Sequence, residues 1–395
     1  MTVRVLASCV PQTGHLTPLL PVLEALAADG AEVRVASGAD VEPTVAARGL
    51  AFTEVCPSFD AWFGALAERT RGIPGDGLAP DRVESYFIPR LFGEVGLAQA
   101  VDGLVALARE WRPDLIVFDS LSFAGPMAAA LVQARPVHHC FGALLDQDVL
   151  ALANDAVTPV WREFGLPAPV SAGLYDATTL TVYPASLDPD VLQLSDARGV
   201  RVASVASSAA SAASAASADD PRRLFEEPGR PLVYLTLGTF SSANPELFRL
   251  LVRALADEPV NVLVTVGPDN DPALLGPLPV NTRAERFIPQ ERLLPHCAAV
   301  VHHGGAGTML GALAHGLPSV VLPQSADNFS NAQRLRAAGA GLVLPPDQVT
   351  EANVSAAVRS ALDGPAARSA SARIARELAA MPSPREVAAA LLGAP

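Results

Sequence analysis

Two stretches of this chain set polar side chains beside glycine where a β-branched run gives way to an apolar helix. One is GHLTPLLP, in which His15 sits at the junction. A histidine is the natural general base near neutral pH, above all when a carboxylate fixes its tautomer. Asp119, near the end of the apolar run DLIVFDS, is the candidate carboxylate. Taken singly, His15 reads as a helix-start residue and Asp119 as a helix cap. Taken together, at the ends of neighbouring strands, they read as a dyad that removes a proton. The other stretch is VVHHGGAGT, from Val300 to Thr308. Its small residues leave backbone N–H groups and a helix dipole facing an anion, with His303 to add a hydrogen bond and Thr308 a hydroxyl. A tight strand-to-helix turn is the plainer reading of the glycines alone.

All 28 basic residues are arginine and none is lysine, which removes a P-loop lysine, a pyridoxal Schiff base and a lysine general base. No charged side chain lies between Arg292 and Asp327, so an anion held there must be met by amides, imidazole and hydroxyls. Gly305, Gly307 and Asp327 imitate a dinucleotide fingerprint and so raise a nicotinamide enzyme as a rival. The next glycine is Gly311, one place late for GxGxxG, and the first strand opens into PQTGH. Three Asp-x-Asp pairs, Asp146/Asp148, Asp188/Asp190 and Asp269/Asp271, read as solvated turns. His138 and His139 are adjacent on a strand and point to opposite faces, one toward a pocket and one toward core. Cys9, Cys56, Cys140 and Cys297 are too scattered for a zinc site or a disulfide framework.

The elements that carry these groups alternate. VRVLASCV is a strand, LTPLLPVLEALAADG a helix ending at Gly30, and AEVRVAS a strand; DGLVALAREWRP, DLIVFDS and GPMAAALVQA continue the rhythm. Residues 55–100 interrupt it with Phe59, Trp62, Phe63, Tyr86, Phe87 and Phe92. Near residue 205 the chain turns into ASVASSAASAASAASADDP, read as a solvated linker. PLVYLTLGTF, ELFRLLVRALAD, VNVLVTVG, AAVVHH and SVVLP then restart the pattern, with a helix from Asn331. A length of 395 residues suits two domains. The expected division is 1–205, a linker 206–230, 231–376, and a helical tail 377–395 that packs back toward the first domain. The fold class is α/β, two Rossmann-like parallel sheets facing across a cleft, with ligands outside the carboxyl ends of the strands. A net charge of −13 with scattered arginines argues against a nucleic-acid or anionic-membrane partner. MTVRVLASCV lacks a signal-peptide pattern and the charge-free run is too broken to span a bilayer, so a cytoplasmic protein is expected.

GHLTPLLPVLEAL, FIPQERLLPHC, HHGGAGTMLGAL and DNFSNA together resemble the GT-B nucleotide-sugar glycosyltransferases. The nearest group is the bacterial enzymes that decorate natural products such as macrolide and polyketide antibiotics, related to the UDP-glycosyltransferases. The resemblance covers nearly the whole chain, and Phe287 to Asn331 is its specific part. It implies inverting, metal-independent transfer of a sugar from a nucleotide diphosphate to a hydrophobic small-molecule aglycone. His15 matches the base that deprotonates the acceptor, and Asp119 its partner. Phe287, Ile288 and Gln290 fall where the nucleotide base is packed and read. Gly238 and Thr239 match one phosphate-side loop; His303, Gly304, Gly305, Gly307 and Thr308 match the other. Asp327 and Asn328 fall at the donor sugar. Phe59, Trp62, Phe87 and Phe141 are the expected acceptor pocket. No metal and no resident cofactor are implied; the nucleotide sugar is a co-substrate, and homodimer formation is left open. Many relatives carry a ribose-binding glutamate where this chain has Gly311, and glutamine where it has Asn328. The missing carboxylate points to a dTDP donor, whose sugar lacks the 2′-hydroxyl, over UDP, and to a deoxyhexose. A sugar-nucleotide epimerase and a non-catalytic auxiliary protein are the alternatives.

Overall fold

A computed structural model describes residues 2–72, 78–79, 82–201, 220–238, 244–268 and 270–393. Thr239, Asp269 and most of the Ala/Ser-rich stretch lie outside the described residues. The chain divides into two compact units, Met1–Val205 with Met381–Pro395, and Ala206–Ala380.

The first unit is built on seven parallel strands: β1 (Arg4–Ser8), β2 (Glu32–Ser37), β3 (Ala51–Glu54), β4 (Leu115–Asp119), β5 (Arg135–His139), β6 (Thr178–Thr181) and β7 (Ala197–Gly199). Their order is β3-β2-β1-β4-β5-β6-β7, so the winding reverses between β1 and β4. The central strands are apolar on both faces, as a sheet covered by helices on both sides requires. Val5, Val117 and Val137 pack on the Thr13–Ala28 helix through Leu16, Leu19 and Leu23. Val387, Ala388 and Leu391 of the C-terminal Pro384–Gly393 helix complete that cluster. Leu6, Ile116 and Phe118 face the opposite way, onto the aromatic segment.

That segment is helical rather than the break in rhythm that its composition predicts. Phe59, Trp62 and Leu66 form a buried stripe on the Phe59–Thr70 helix, whose Ser58 cap accepts the Ala61 N–H. Val83–Phe87, a π-helical turn Ile88–Gly96 and Leu97–Trp111 then run on without interruption. The run Val83–Trp111 is long and apolar enough to cross a bilayer by composition. Leu91, Phe92, Val95, Val101 and Leu104 are packed in the core instead.

The second unit has six parallel strands: β8 (Leu232–Thr236), β9 (Asn261–Thr265), β10 (Thr282–Glu285), β11 (Ala299–His302), β12 (Ser319–Val321) and β13 (Gly341–Val343). The order β10-β9-β8-β11-β12-β13 reverses between β8 and β11. Phe225, within the stretch expected as linker, is buried against Leu232 and Tyr234 and so belongs to this core.

Candidate active site

In an open α/β sheet, the point where the winding reverses leaves a crevice at the carboxyl ends of two neighbouring strands. In the first unit those ends carry the two residues singled out as a dyad. Asp119 closes β4, and His15 lies in the first turn of the helix that follows β1. His15 Nδ1 is 3.2 Å from Asp119 Oδ1. Asp119 is 0% exposed and also accepts the Val10 and Leu121 N–H groups, each at 2.7 Å. Burial alone would push this carboxyl up. The charge and hydrogen bond of His15, with the two amides, outweigh burial and hold it below its ordinary value. An ionised carboxylate accepts only, so the shared proton belongs on His15 Nδ1 and Nε2 is left to act as base.

Aromatic rings surround this imidazole. Phe141 lies 4.4 Å from the His15 ring and Phe92, on the π-helical turn, 6.1 Å. Phe59 meets Phe92 at 6.2 Å and Phe63 at 5.1 Å, and Phe63 meets Phe87 at 6.1 Å. Phe59, Phe87 and Phe141 thus belong to one aromatic group with Phe63 and Phe92. Trp62 joins the same group, its ring 6.1 Å from that of Phe59; the residue is 3% exposed and packs against Gly96. His138 and His139 are both fully buried, so neither faces a pocket. His138 stacks on Phe118 and shares a hydrogen bond with Ser120, and burial pushes the two imidazoles down to about 3 and about 4. Asp188 is buried as well, accepting the Leu144 N–H at 2.8 Å, and so ties down a loop rather than standing in a solvated turn.

The second unit repeats the geometry. Gly238 follows β8 and His303 follows β11, again on either side of the reversal. A Cβ on Gly238 would lie 2.4 Å from His303 Cε1, and one on Gly305 2.5 Å from Nε2. The imidazole therefore fits between two glycines that tolerate no side chain. Gly238 also has φ +72° and Gly304 φ +100°, conformations that suit glycine. Burial pushes His303 down to about 4, so it is a neutral donor-acceptor at pH 7, and Nδ1 has no hydrogen-bond partner among the described residues. The Ala306–Ala314 helix begins on Gly305 without a side-chain cap. Its first-turn amides, at Ala306, Gly307 and Thr308, lack intrahelical acceptors, and with the dipole they make an anion site. A Cβ on Gly307 would touch nothing, so packing within the unit does not explain that glycine.

Phe287 stands 42% exposed, while Ile288 packs beside Leu293 and Leu294. Gln290 Nε2 donates to Thr308 Oγ1 at 3.1 Å. Asp327 and Asn328 start the Asn328–Ala337 helix. Asp327 Oδ2 accepts from Asn331 Nδ2 at 2.8 Å, whereas Asn328 is buried with its Oδ1 taking the Ser325 N–H at 3.3 Å. Three positioning groups escape the motif reading. Asn331 Nδ2 also reaches the Gly304 carbonyl at 3.0 Å. His302 Nδ1 accepts the Gly304 N–H at 3.1 Å, and Thr236 Oγ1 accepts the Gly238 N–H at 3.3 Å. His302 and Thr236 are partners in register, so each loop is tied down by the last residue of its own strand. A polar residue closing an apolar strand two places before a glycine is the signal that could have found His302 and Thr236.

Residues 249–393 match the family model for the erythromycin biosynthesis protein CIII-like C-terminal domain, and residues 84–212 the corresponding N-terminal domain. The chain is 36% identical to an L-demethylnoviosyl transferase from Streptomyces niveus, across 98% of this chain and 97% of that one. Among solved structures it is similar to the glycosyltransferase SnogD from Streptomyces nogalater, with 30% identity, 99% of both chains covered and a TM-score of 0.73. It is similar also to SsfS6 from Streptomyces sp. SF2575 in complex with thymidine diphosphate, with 27% identity, 99% and 100% covered and a TM-score of 0.78. With two parallel-sheet units and matches of this extent, the chain belongs to the erythromycin biosynthesis protein CIII-like family of bacterial natural-product glycosyltransferases, which have the GT-B fold.

Proposed function

We propose that the protein transfers a deoxysugar from a dTDP donor to a hydroxyl of a hydrophobic aglycone, in one displacement with inversion and without a metal. The observation that carries this reading is the buried Asp119 carboxylate on His15 Nδ1. The acceptor hydroxyl gives its proton to His15 Nε2 as its oxygen bonds to the anomeric carbon. On the opposite face the bond from that carbon to the diphosphate oxygen breaks. The charge that develops on the diphosphate is received by the Ala306–Thr308 amides and His303, donors already in place before the reaction. Phe59, Phe87, Phe92 and Phe141 offer the aglycone an apolar wall. For the donor base, Gly311 supports dTDP, since no carboxylate stands there to meet a 2′-hydroxyl. SsfS6 with thymidine diphosphate and VinC with dTDP, both similar to this chain, support the same choice.

The test pairs activity with binding. In His15→Ala, turnover of a dTDP-deoxysugar falls roughly 10²–10⁴-fold, the usual worth of a general base, while dTDP affinity measured by calorimetry stays unchanged. The product's anomeric configuration, read from proton coupling, is opposite to the donor's, and chelation of divalent metal leaves the rate unaltered. Full activity in His15→Ala, or retained configuration, would sink the mechanism. A clear preference for UDP over dTDP would sink the choice of donor.

A further inference from the structure

The two amides that meet the Asp119 carboxylate come from different parts of the chain, Val10 just after β1 and Leu121 just after β4. Both lie in loops, beyond the strand ladders that would otherwise fix their direction. Buried hydroxyls fix it instead. Ser37, the last residue of β2 and 1% exposed, donates to the Cys9 carbonyl at 2.8 Å. That carbonyl and the Val10 N–H are the two ends of one planar peptide unit. A single line of hydrogen bonds therefore runs from the Ser37 hydroxyl through this peptide to Asp119 Oδ2, 2.7 Å from the Val10 nitrogen.

The second amide is held differently. Leu121 stands between Ser120 and Ser122, and each serine is tied to a neighbouring strand. Ser120 Oγ is 2.9 Å from His138 Nε2 on β5, and Ser122 Oγ is 2.7 Å from Ser8 Oγ on β1. Ser8 and His138 are both in register with Phe118 on β4, so the three form a row on the face opposite to Asp119. The chain is thus pinned on either side of Leu121 from the far face of the sheet. Its N–H is left directed at Asp119 Oδ1, 2.7 Å away.

We propose that Ser37, Ser120 and Ser122 are positioning residues for the dyad: they hold the Val10 and Leu121 peptides so that both amides close on the Asp119 carboxylate and aim it at His15. The inference rests on the reading of His15 and Asp119 as the pair that removes the acceptor's proton. Without these hydroxyls the loops after β1 and β4 can turn, and a carboxylate that loses an amide swings off the imidazole.

Proton NMR of the full chain reads the aimed bond directly, without an acceptor. The Nδ1 proton that His15 shares with a carboxylate gives a downfield signal, assigned by its loss in His15→Ala. Ser37→Ala and Ser120→Ala each move that signal upfield. Turnover of a dTDP-deoxysugar falls with it, roughly 3- to 10-fold for each lost hydroxyl, the worth of about one neutral hydrogen bond, while the dTDP Kd and the aglycone KM hold. Ser37 borders a small cavity with Ser8 and Ser122, which gives room for a methyl, so Ser37→Thr keeps the hydroxyl and recovers the rate. In Asp119→Asn, whose side chain carries no charge to aim, Ser37→Ala costs nothing further. Additive losses, or an unchanged signal and rate in Ser37→Ala or Ser120→Ala, overturn the proposal. Should either variant fail to fold, Ser122→Ala removes the remaining pin and is expected to act in the same direction; an unchanged rate there overturns it equally. Full activity in Asp119→Asn removes the dyad, and this inference with it. A crippled Asp119→Asn beside fully active serine variants removes this inference alone.

Discussion

In the proposed reaction His303 meets a dianionic ligand without a charge of its own. Held near 4 by burial, its imidazole is neutral at pH 7 and contributes one N–H and one lone pair. A diphosphate arriving beside it favours the charged ring and raises that value. Donor binding therefore draws protons onto the protein, little at pH 8 and more as the pH falls toward 5. Titration with dTDP in buffers of different ionisation enthalpy checks this, and zero proton uptake at pH 5 would mean that His303 does not face the phosphates. Asp119 presents the opposite case, a carboxylate kept ionised in a dry place because three donors converge on it. The two units thus use one device with the signs exchanged: a buried polar group tuned by what surrounds it.

Among the elements, the π-helical turn Ile88–Gly96 is the one whose local geometry bears most on the proposed acceptor side. It places Phe92 beside His15 and sets Gly96 flat against Trp62, where a Cβ would lie 2.5 Å from the indole. Gly96→Ala must displace one or the other. It is expected to cost about 1–3 kcal/mol of stability as overpacking and to raise the aglycone KM, leaving dTDP affinity unchanged. Thermal unfolding with acceptor kinetics would show it, and an unaffected KM would detach this turn from the acceptor site. Such a turn is hard to foresee: hydrogen bonds five residues apart shift the apolar stripe off the ordinary helical period, so Phe87 and Phe92 read as scattered aromatics. The central strands β1, β4, β8 and β11 were legible because strands buried on both faces are continuous Val, Ile and Leu runs. Edge strands such as AFTE, TRAE and GLV are too short and too exposed to show a period. His15, Asp119 and the glycine turn announced themselves by type and junction. Thr236 and His302 did not, since each reads as one more residue of its strand, and its hold on the glycine two places on appears only once the strand's end is located.

At the scale of the molecule, four histidines with depressed pKa link stability to pH. His138 and His139 in one unit, and His302 and His303 in the other, are all pushed below the ordinary 6.5, to about 3 or about 4. Each is neutral when folded and takes up a proton more readily when unfolded. The stability they allow is complete above pH 6.5 and is lost as the pH falls toward 4. Asp119, lowered rather than raised, adds loss in the same direction once carboxylates begin to protonate. Calorimetry from pH 8 to 5 should show Tm falling below 6.5; a flat profile would place these imidazoles in contact with water.

The first unit is discontinuous in the chain, leaving at Val205 and returning at Met381. On the return, the Pro382 carbonyl accepts the Arg201 N–H at 2.8 Å, the Leu391 carbonyl is taken by the Arg135 guanidinium, and Leu391 fills the cluster under the His15 helix. During synthesis the residues that hold His15 are made before the second unit, yet their own unit is unfinished until the Pro384–Gly393 helix, which follows the second unit, is released. The second unit, contiguous from Ala206 to Ala380, has every part it needs before then. Order of birth and order of completion are inverted, so a chain cut short by a premature stop just after Ala380 would keep the second unit whole and leave the first without its closing helix.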